Sequence, residues 1–190
     1  MDEIKVENAN VYGLENSIRV SRFPMAVDVD TCSSEITKNT ISLGQSPAGS
    51  GHDNFLNGIV VQFDLTCSNK MWVEMERYHF IDFVSSQSTM HRITKLDIKS
   101  QCNEWVWPTT IDKLNLKVAM YNACPSTDLY LEILYNVPSG FQLTAGMTTN
   151  YRQLKTIYYQ RRNHRLPEWR EFCTWIETLP NFRELCLKEE

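Results

Sequence analysis

The segment from residue 141 to residue 161 changes its hydrophobic period at one point, and this change constrains the fold more than any other feature of the chain. In its first part, the apolar residues that alternate with polar or small ones are Phe141, Leu143, Ala145 and Met147. In its second part, the residues that fall on one face at helical spacing are Asn150, Leu154, Ile157 and Arg161. The sequence therefore predicts a strand followed closely by a helix, which favours an α/β or α+β fold.

Other segments carry weaker periodic patterns. Residues 59–66 alternate in their second half and predict a strand, whereas 126–137 predict a helix capped by a serine. Residues 68–80 fit either an alternating strand or a short serine-capped helix, and periodicity does not decide between them. Pro167 is well placed to start a last helix, which ends before Pro180.

The composition excludes several classes of protein. The chain has 190 residues, 42% of them hydrophobic, which is enough for one sizeable core and predicts a single domain over 1–190. Its formal charge of -4 argues against a surface for nucleic acid or anionic lipid, so an anion site would have to be local. No apolar run approaches the roughly 18 residues of a bilayer crossing. We therefore expect a soluble, cytoplasmic protein without membrane or nucleic-acid partners.

The six cysteines and four histidines show no short metal-ligand spacing. The cysteines contain no C-x-x-C pair, and the histidines no H-x-x-x-H pair. A small secreted domain held by disulfides would carry cysteines at higher density. The sequence thus predicts free thiols and no metal site.

Residues 150–166 form a basic segment in an acidic protein. They contain four arginines, one lysine and one histidine but no acid. Because an arginine side chain presents paired donors to a phosphate or to the edge of a pyrimidine, this segment is a candidate anion or nucleotide site. A solvated basic face is an equally good interpretation, and its tyrosines could stack on bases or belong to the core.

Two other segments are candidate site components. The glycine-rich stretch GQSPAGSGHDN, residues 44–54, ends near His52, where a backbone can approach a ligand closely. Residues 77–92 place arginines, histidines and hydroxyl groups around Phe80 and Phe83. A lone histidine is more often structural, and a polar surface loop would have the same composition as 77–92.

Taken in order along the chain, these segments resemble the flavin-dependent thymidylate synthases (ThyX). The stretch GHDNFLNGIVVQFDLTCSNKMWVEMER, residues 51–77, is similar to that family's histidine-containing segment, strand and helix without a gap. Arg77, Tyr78 and His79 stand where the family has Arg-His-Arg, and Ser88 matches a later serine after one inserted residue. The residues that match the C-terminal spacing of the family are Asn150, Arg152, Leu154 and Arg161.

The resemblance implies a ThyX-like fold, with a central, mostly antiparallel sheet flanked by helices, in a homotetramer with active sites between subunits. It implies FAD as cofactor, dUMP as substrate, and, for an active enzyme, NADPH and methylenetetrahydrofolate. No catalytic side chain is implied, because the hydride chemistry belongs to the cofactor. By the same resemblance, the residues at the cofactor would be His52, Asn54, Arg77, His79, Asn150 and Arg152. The residues at the nucleotide would be Ser88, Arg161 and, as a replacement for a missing arginine, Arg92.

The departures from the family's pattern matter for activity. Glu74 replaces a glutamine and would put a carboxylate near an anionic nucleotide. Tyr78 and His79 replace the family's His and Arg, which lowers the number of cations at the cofactor by one. The positions that have lost an arginine are Met90 and Leu134. Since each lost charged hydrogen bond costs about 2 to 3 kcal/mol, these losses would remove several powers of ten in affinity.

Two functional hypotheses follow. The chain is either a divergent flavin-dependent enzyme that methylates dUMP or a related pyrimidine nucleotide, or it retains the fold as a nucleotide-binding or inhibitory module without flavin chemistry. The compact size fits a phage-encoded protein. Under the enzyme hypothesis we expect Arg161 to contact the nucleotide and Lys155, assigned to another face of the same helix, to contribute little.

Overall fold

The computed structural model describes residues 4–188, and its centre is a four-stranded antiparallel sheet. The strands lie in the order β1-β2-β4-β3. Their bounds are Lys5–Tyr12 for β1, Val60–Ser68 for β2, Ile81–Ser86 for β3 and Gln142–Asn150 for β4. The mixed helix and strand composition and the antiparallel sheet confirm the predicted fold class.

Ten α-helices surround or extend this sheet in the described part of the chain. The first five are Leu14–Val20 (α1), Lys38–Gly44 (α2), Asn69–Met75 (α3), Thr89–Arg92 (α4) and Ile98–Gln101 (α5). The others are Pro108–Ala123 (α6), Thr127–Tyr135 (α7), Tyr151–Arg161 (α8), Pro167–Glu177 (α9) and Phe182–Cys186 (α10).

Strands β2 and β4 form the middle of the sheet and pair without interruption from Val60 opposite Asn150 to Ser68 opposite Gln142. Cross-strand partners project to the same side of an antiparallel sheet. The β2 residues on the buried side are Val61, Phe63, Leu65 and Cys67. This alternation is the pattern that predicted the strand, and it fixes which side of the sheet receives the helices.

The main hydrophobic core lies between that side of the sheet and helices α3, α8 and α9. Phe63 of β2 packs against Phe172 of α9, with ring centroids 5.9 Å apart. Leu154 and Ile157 of α8 are fully buried in the same cluster. Burial of such side chains contributes roughly 1.5 to 3 kcal/mol each, so the apolar stripe of α8 holds this helix against the sheet.

A second, smaller cluster lies between α5, α6 and α7. Its buried residues are Ile93, Ile98, Leu114, Ile133 and Phe141. Phe141 immediately precedes β4, so this cluster joins the helical pair to the end of the sheet away from α8.

Most elements agree with the sequence analysis. Residues 68–80 begin as helix α3, with the Ser68 hydroxyl accepting from the backbone N–H of Met71, which resolves the ambiguity in favour of the capped helix. Helix α9 starts at Pro167, but it is not the last helix, since α10 follows Pro180. The sequence patterns did not predict β1 or α6.

Candidate functional site

A cavity of about 740 Å³ opens between the glycine-rich loop and helix α8. This volume lies within the roughly 300 to 1,000 Å³ of most ligand pockets. Its loop side consists of residues 45–49 with Asp53, and Phe80 contributes from the segment before β3. The α8 residues that line it are Arg152, Gln153, Lys155, Thr156, Tyr159 and Gln160.

The backbone at the start of the glycine-rich loop lies very close to the backbone of helix α10. A Cβ atom at Gly44 would lie 2.2 Å from the carbonyl oxygen of Leu185, a distance that only glycine permits. Gly49 and Gly51 have φ angles of 86° and 78°, which favour glycine for the same chain reversal. The glycines therefore build one side of the cavity by allowing the loop to turn and to approach α10.

Asn150 marks the point where β4 becomes α8. Its backbone is extended and still pairs with Val60, while its side-chain oxygen accepts from the backbone N–H of Gln153 at 2.9 Å. Such an N-cap is worth about 1 kcal/mol. The oxygen of the Asn150 amide is thus used to start the helix, and the residue also lines the cavity.

A buried carboxylate, Asp53, connects the loop to α8. Its Oδ1 accepts from Nε of Arg152 and its Oδ2 from Nζ of Lys155, each at 3.0 Å. Lys155 Nζ also donates to the carbonyl oxygens of Gly44 and Ser46, both at 2.7 Å. The three donors of this buried ammonium are therefore directed at the loop, so Lys155 holds the loop on the helix.

Arg152 is bonded differently from Lys155. Its side chain is 32% exposed and only its Nε donates to Asp53. Among the described residues, no side chain or carbonyl accepts from its two terminal nitrogens. These two nitrogens form a planar pair of donors at the edge of the cavity, which suits an anionic group.

The charges around the cavity favour an anion. The acidic and basic side chains that line it are Asp53, Arg152, Lys155 and Lys188. Three cations against one carboxylate leave a local positive excess in a protein whose formal charge is -4. The N-terminal end of α8 adds its partial positive charge on the same side as Arg152.

The predicted stripe of α8 runs from Asn150 through Leu154 and Ile157 to Arg161. Its central residues Leu154 and Ile157 are fully buried against the sheet, so this face belongs to the core. The cavity lies on the opposite face, with Arg152, Thr156 and Tyr159 at i, i+4 and i+7. Lys155 also lines the cavity, and its small contribution to ligand binding stays a prediction.

Arg161, at the end of the core-facing stripe, is bound within the chain. Its Nε donates to the hydroxyl of Tyr78 at 2.8 Å, and its Nη1 donates to Glu74 at 3.2 Å. The guanidinium carbon lies 4.7 Å from the ring centroid of Trp169. The Tyr78 hydroxyl in turn donates to Gln160, which lines the cavity.

Glu74 is the centre of this second ion cluster. It also accepts from Lys70 at 3.1 Å and from the indole N–H of Trp169 at 3.0 Å, and His164 lies 3.6 Å away. Burial alone raises the pKa of the Glu74 carboxyl, but hydrogen bonds from Lys70 and Trp169 and the charges of Lys70 and His164 outweigh this, so the pKa lies below its usual value. Glu74 is therefore ionised at neutral pH and pairs with Arg161.

The other predicted site residues do not line the cavity of the single chain. His52 and Asn54 are exposed on the loop beside Asp53. Arg77 and His79 lie in the α3–β3 connection, Ser88 precedes α4 and Arg92 ends it, and none of the four lines the cavity. Of the candidate residues, the structure thus brings only Asn150 and Arg152 to the cavity.

Sequence reasoning did not assign two residues that line the cavity, Asp53 and Lys155, whereas Tyr159 is one of the tyrosines for which stacking on bases was an alternative. Asp53 follows His52 directly, and Lys155 lies three residues after Arg152, so it faces a similar direction on the helix. An acid in the glycine-rich loop and a basic pair at this spacing were the available signals. Their pairing across more than ninety residues was not visible in any local pattern.

Among residues 4–188, no group of three or more His, Cys, Asp or Glu side chains is arranged to hold a metal ion. None of the described helices combines the length and the apolar character needed to cross a membrane.

Comparison with known proteins identifies the fold. No protein-family model matches the sequence, and no curated protein matches it significantly. The structure, however, matches a crystal structure of the flavin-dependent thymidylate synthase ThyX from Helicobacter pylori complexed with FAD and dUMP. It does so with a TM-score of 0.72 and 13% identity over 97% of this chain and 100% of that one.

A second structure of ThyX from Helicobacter pylori, also with FAD and dUMP, matches with a TM-score of 0.73 and 13% identity. This second match covers 98% of this chain and 100% of the ThyX chain. The resemblance noted in the sequence is therefore confirmed at the level of fold over nearly the whole chain. This chain has the fold of the flavin-dependent thymidylate synthases.

Proposed function

We propose that this protein binds a nucleotide in the cavity between the glycine-rich loop and α8, with FAD as the cofactor and a pyrimidine nucleotide of the dUMP type as the second ligand. The observation that carries the proposal is the open pair of terminal nitrogens on Arg152, beside a cavity with an excess of positive charge. The solved neighbours with the same fold contain FAD and dUMP.

The cavity residues fit a flavin nucleotide in three respects. The volume of about 740 Å³ is sufficient for a large ligand. Arg152 offers donors for a phosphate, and the aromatic side chains of Tyr159 and Phe80 are 44% and 65% exposed. When bound, a flavin supplies redox chemistry that no side chain of this chain can supply.

Subunit association would complete the site. Arg77, His79, Ser88 and Arg92 lie outside the cavity of one chain, where a neighbouring subunit would have to bring them to a ligand. We therefore propose a homo-oligomer, a tetramer by resemblance, in which His52 and Asn54 of the loop also approach the cofactor. In an active enzyme, NADPH would be the reductant and methylenetetrahydrofolate the one-carbon donor.

One observation favours a second function, namely nucleotide binding without thymidylate synthesis. Arg161, assigned to the nucleotide by resemblance, is paired with Glu74 and Tyr78 and stacked on Trp169. Met90 stands where the family has a phosphate-binding arginine, and it is 57% exposed. A chain with these two features keeps the cofactor cavity and loses contacts to a substrate phosphate.

The test uses the purified protein and two ligands. Bound FAD would give the visible absorbance of a flavin, and its release on denaturation would raise the fluorescence. Ligand-free protein is then heated with FAD or with dUMP. We expect FAD to raise the melting temperature of wild type but not of Arg152→Gln, and Arg183→Gln, which changes an exposed arginine, serves as control.

The outcomes separate the two functions. Stabilisation by both ligands, together with dUMP-dependent oxidation of NADPH, supports the enzyme. Stabilisation by FAD alone, or by dUMP alone without flavin, supports a binding protein. If neither ligand changes the melting temperature, the proposed function is wrong.

A further inference from the structure

Tyr159 presents an aromatic ring that is both accessible and fixed. It lines the cavity, and it is 44% exposed. Its hydroxyl accepts from the backbone N–H of Lys188 at 3.1 Å. The ring stands edge to face with Tyr158 at 5.7 Å, and the guanidinium carbon of Arg162 lies 5.5 Å from its centroid.

These contacts limit the rotation of the Tyr159 side chain. An aromatic ring held before binding loses little conformational entropy when a ligand stacks on it. A free surface tyrosine, in contrast, would have to be ordered at the moment of binding. The exposed part of Tyr159 is therefore suited to pack against a planar ligand.

Arg152 lies two helical turns earlier on the same face of α8. The separation along the axis is about 10 Å, from seven residues at 1.5 Å each. Thr156 lies between the two residues, and its hydroxyl donates to the carbonyl oxygen of Arg152 at 3.1 Å. The helix face thus carries an anion-binding group near its start and a ring near its end.

The electrostatic potential along this face of α8 differs between the start and the end of the helix. The N–H groups of its first turn add positive potential near Arg152, and this potential falls off within that turn. At the other end, Gln160 lines the cavity as a neutral side chain, and its oxygen accepts from Tyr78. An anionic group is favoured at the start of the helix and a neutral ring at its end.

We propose that α8 orients the ligand, with a planar aromatic heterocycle stacked on Tyr159 and its phosphate bound by the terminal nitrogens of Arg152. The proposal rests on the proposed function and extends it by assigning Tyr159 as a stacking residue and the direction of the ligand. Lys155 holds the loop and does not contact the ligand, since its three donors are already bonded within the chain.

Riboflavin and FMN provide the test, because they share the ring system and differ by one phosphate. Binding is followed by the quenching of flavin fluorescence in wild type and three variants. Tyr159→Ala is expected to weaken both ligands about tenfold or more, the effect of one lost stacking contact. Tyr159→Phe keeps the ring and loses only the hydrogen bonds of the hydroxyl group, so it is expected to bind both ligands more tightly than Tyr159→Ala does.

Arg152→Gln is expected to weaken FMN about tenfold and to leave riboflavin unchanged, because only FMN carries the phosphate. Tyr135→Ala, which removes an exposed tyrosine from α7, is the control for the loss of an aromatic side chain. Since Tyr159 and Arg152 are partly exposed, both variants are expected to fold, and their far-ultraviolet circular dichroism checks this.

The results distinguish this inference from the proposed function. If wild type binds FMN but Tyr159→Ala binds it equally well, the stacking role is wrong while nucleotide binding stands. If Arg152→Gln weakens riboflavin as much as FMN, the phosphate is not at Arg152. If wild type binds neither flavin nor FAD nor dUMP, the proposed function itself is wrong, and the inference falls with it.

Discussion

Helix α8 carries two arginines in opposite environments, Arg152 beside the cavity and Arg161 against the core. Each pairs with one carboxylate that also binds a lysine, Asp53 in the first case and Glu74 in the second. Nine residues separate the two arginines, so at 3.6 residues per turn they project to opposite sides of the helix.

The two clusters differ in how accessible their arginine side chain is to an incoming anion. Arg161 is 13% exposed and stacks on Trp169, so an incoming anion would have to displace Glu74 to reach it. Arg152 is 32% exposed and keeps two nitrogens without a partner among the described residues. The same residue type thus lines a cavity on one face of the helix and supports the core on the other.

The largest effect is expected from breaking the cluster at the cavity. Lys155→Met removes a buried ammonium and leaves Asp53 and the carbonyl groups of Gly44 and Ser46 without that donor. Loss of one partner from a buried ion pair costs about 3 to 5 kcal/mol. Urea denaturation should therefore show a decrease of this size in the free energy of unfolding.

Lys99→Met, which changes an exposed lysine on α5, is the matched control and should change stability by less than about 0.5 kcal/mol. In the double variant Asp53→Asn with Lys155→Met, part of the loss should be recovered, because the uncompensated carboxylate is gone. A change under about 1 kcal/mol in Lys155→Met would contradict the role of Lys155 in holding the loop.

The second prediction compares the two arginines directly. Arg161→Gln removes a cation that pairs with Glu74 and stacks on Trp169, and we expect a loss of about 2 kcal/mol in stability. Arg152→Gln should cost less than about 1 kcal/mol, since the side chain is partly exposed and Lys155 still neutralises Asp53.

Thermal and urea unfolding of both variants measure this difference in stability. In the fluorescence titration with FMN, we expect the order of the two variants to be reversed. Arg152→Gln should lose affinity for FMN, whereas Arg161→Gln should retain it. Equal effects of the two substitutions on stability and on binding would mean that the two clusters do not have separate roles.

Much of the fold could be predicted because local patterns carry it. The alternation in β2 and β4, the Ser68 cap of α3, the helical pattern of α8 and the start of α9 at Pro167 agree with the structure. Each of these signals arises from residues close together in the chain. The resemblance to ThyX then supplied the fold that joins them.

The missed elements lack such signals. Strand β1 is exposed along most of its length and contains a register shift between Glu7 and Asn10, so it has no apolar alternation. The cavity face of α8 carries Arg152, Thr156 and Tyr159, which show no apolar periodicity. Arg152 pairs with Asp53 and Arg161 pairs with Glu74 on another helix, and pairings at such sequence separations leave no local pattern.

The smallest predicted effect concerns the pH dependence of the Glu74 cluster. The groups that face this carboxylate are Lys70, Arg161, His164 and Trp169. Because the pKa of Glu74 is lowered on folding, the cluster stabilises the native state above about pH 4.5 and loses this contribution as the pH falls through the lowered value. Glu74→Gln should be less stable than wild type by about 1 to 2 kcal/mol at pH 7, and the difference should decrease below pH 4.5.

Urea denaturation from pH 7 to pH 3 measures this difference in the free energy of unfolding. Glu76→Gln, on the exposed side of the same turn, is the control. A difference that stays constant over this range would show that the charge of Glu74 does not hold Arg161 in place.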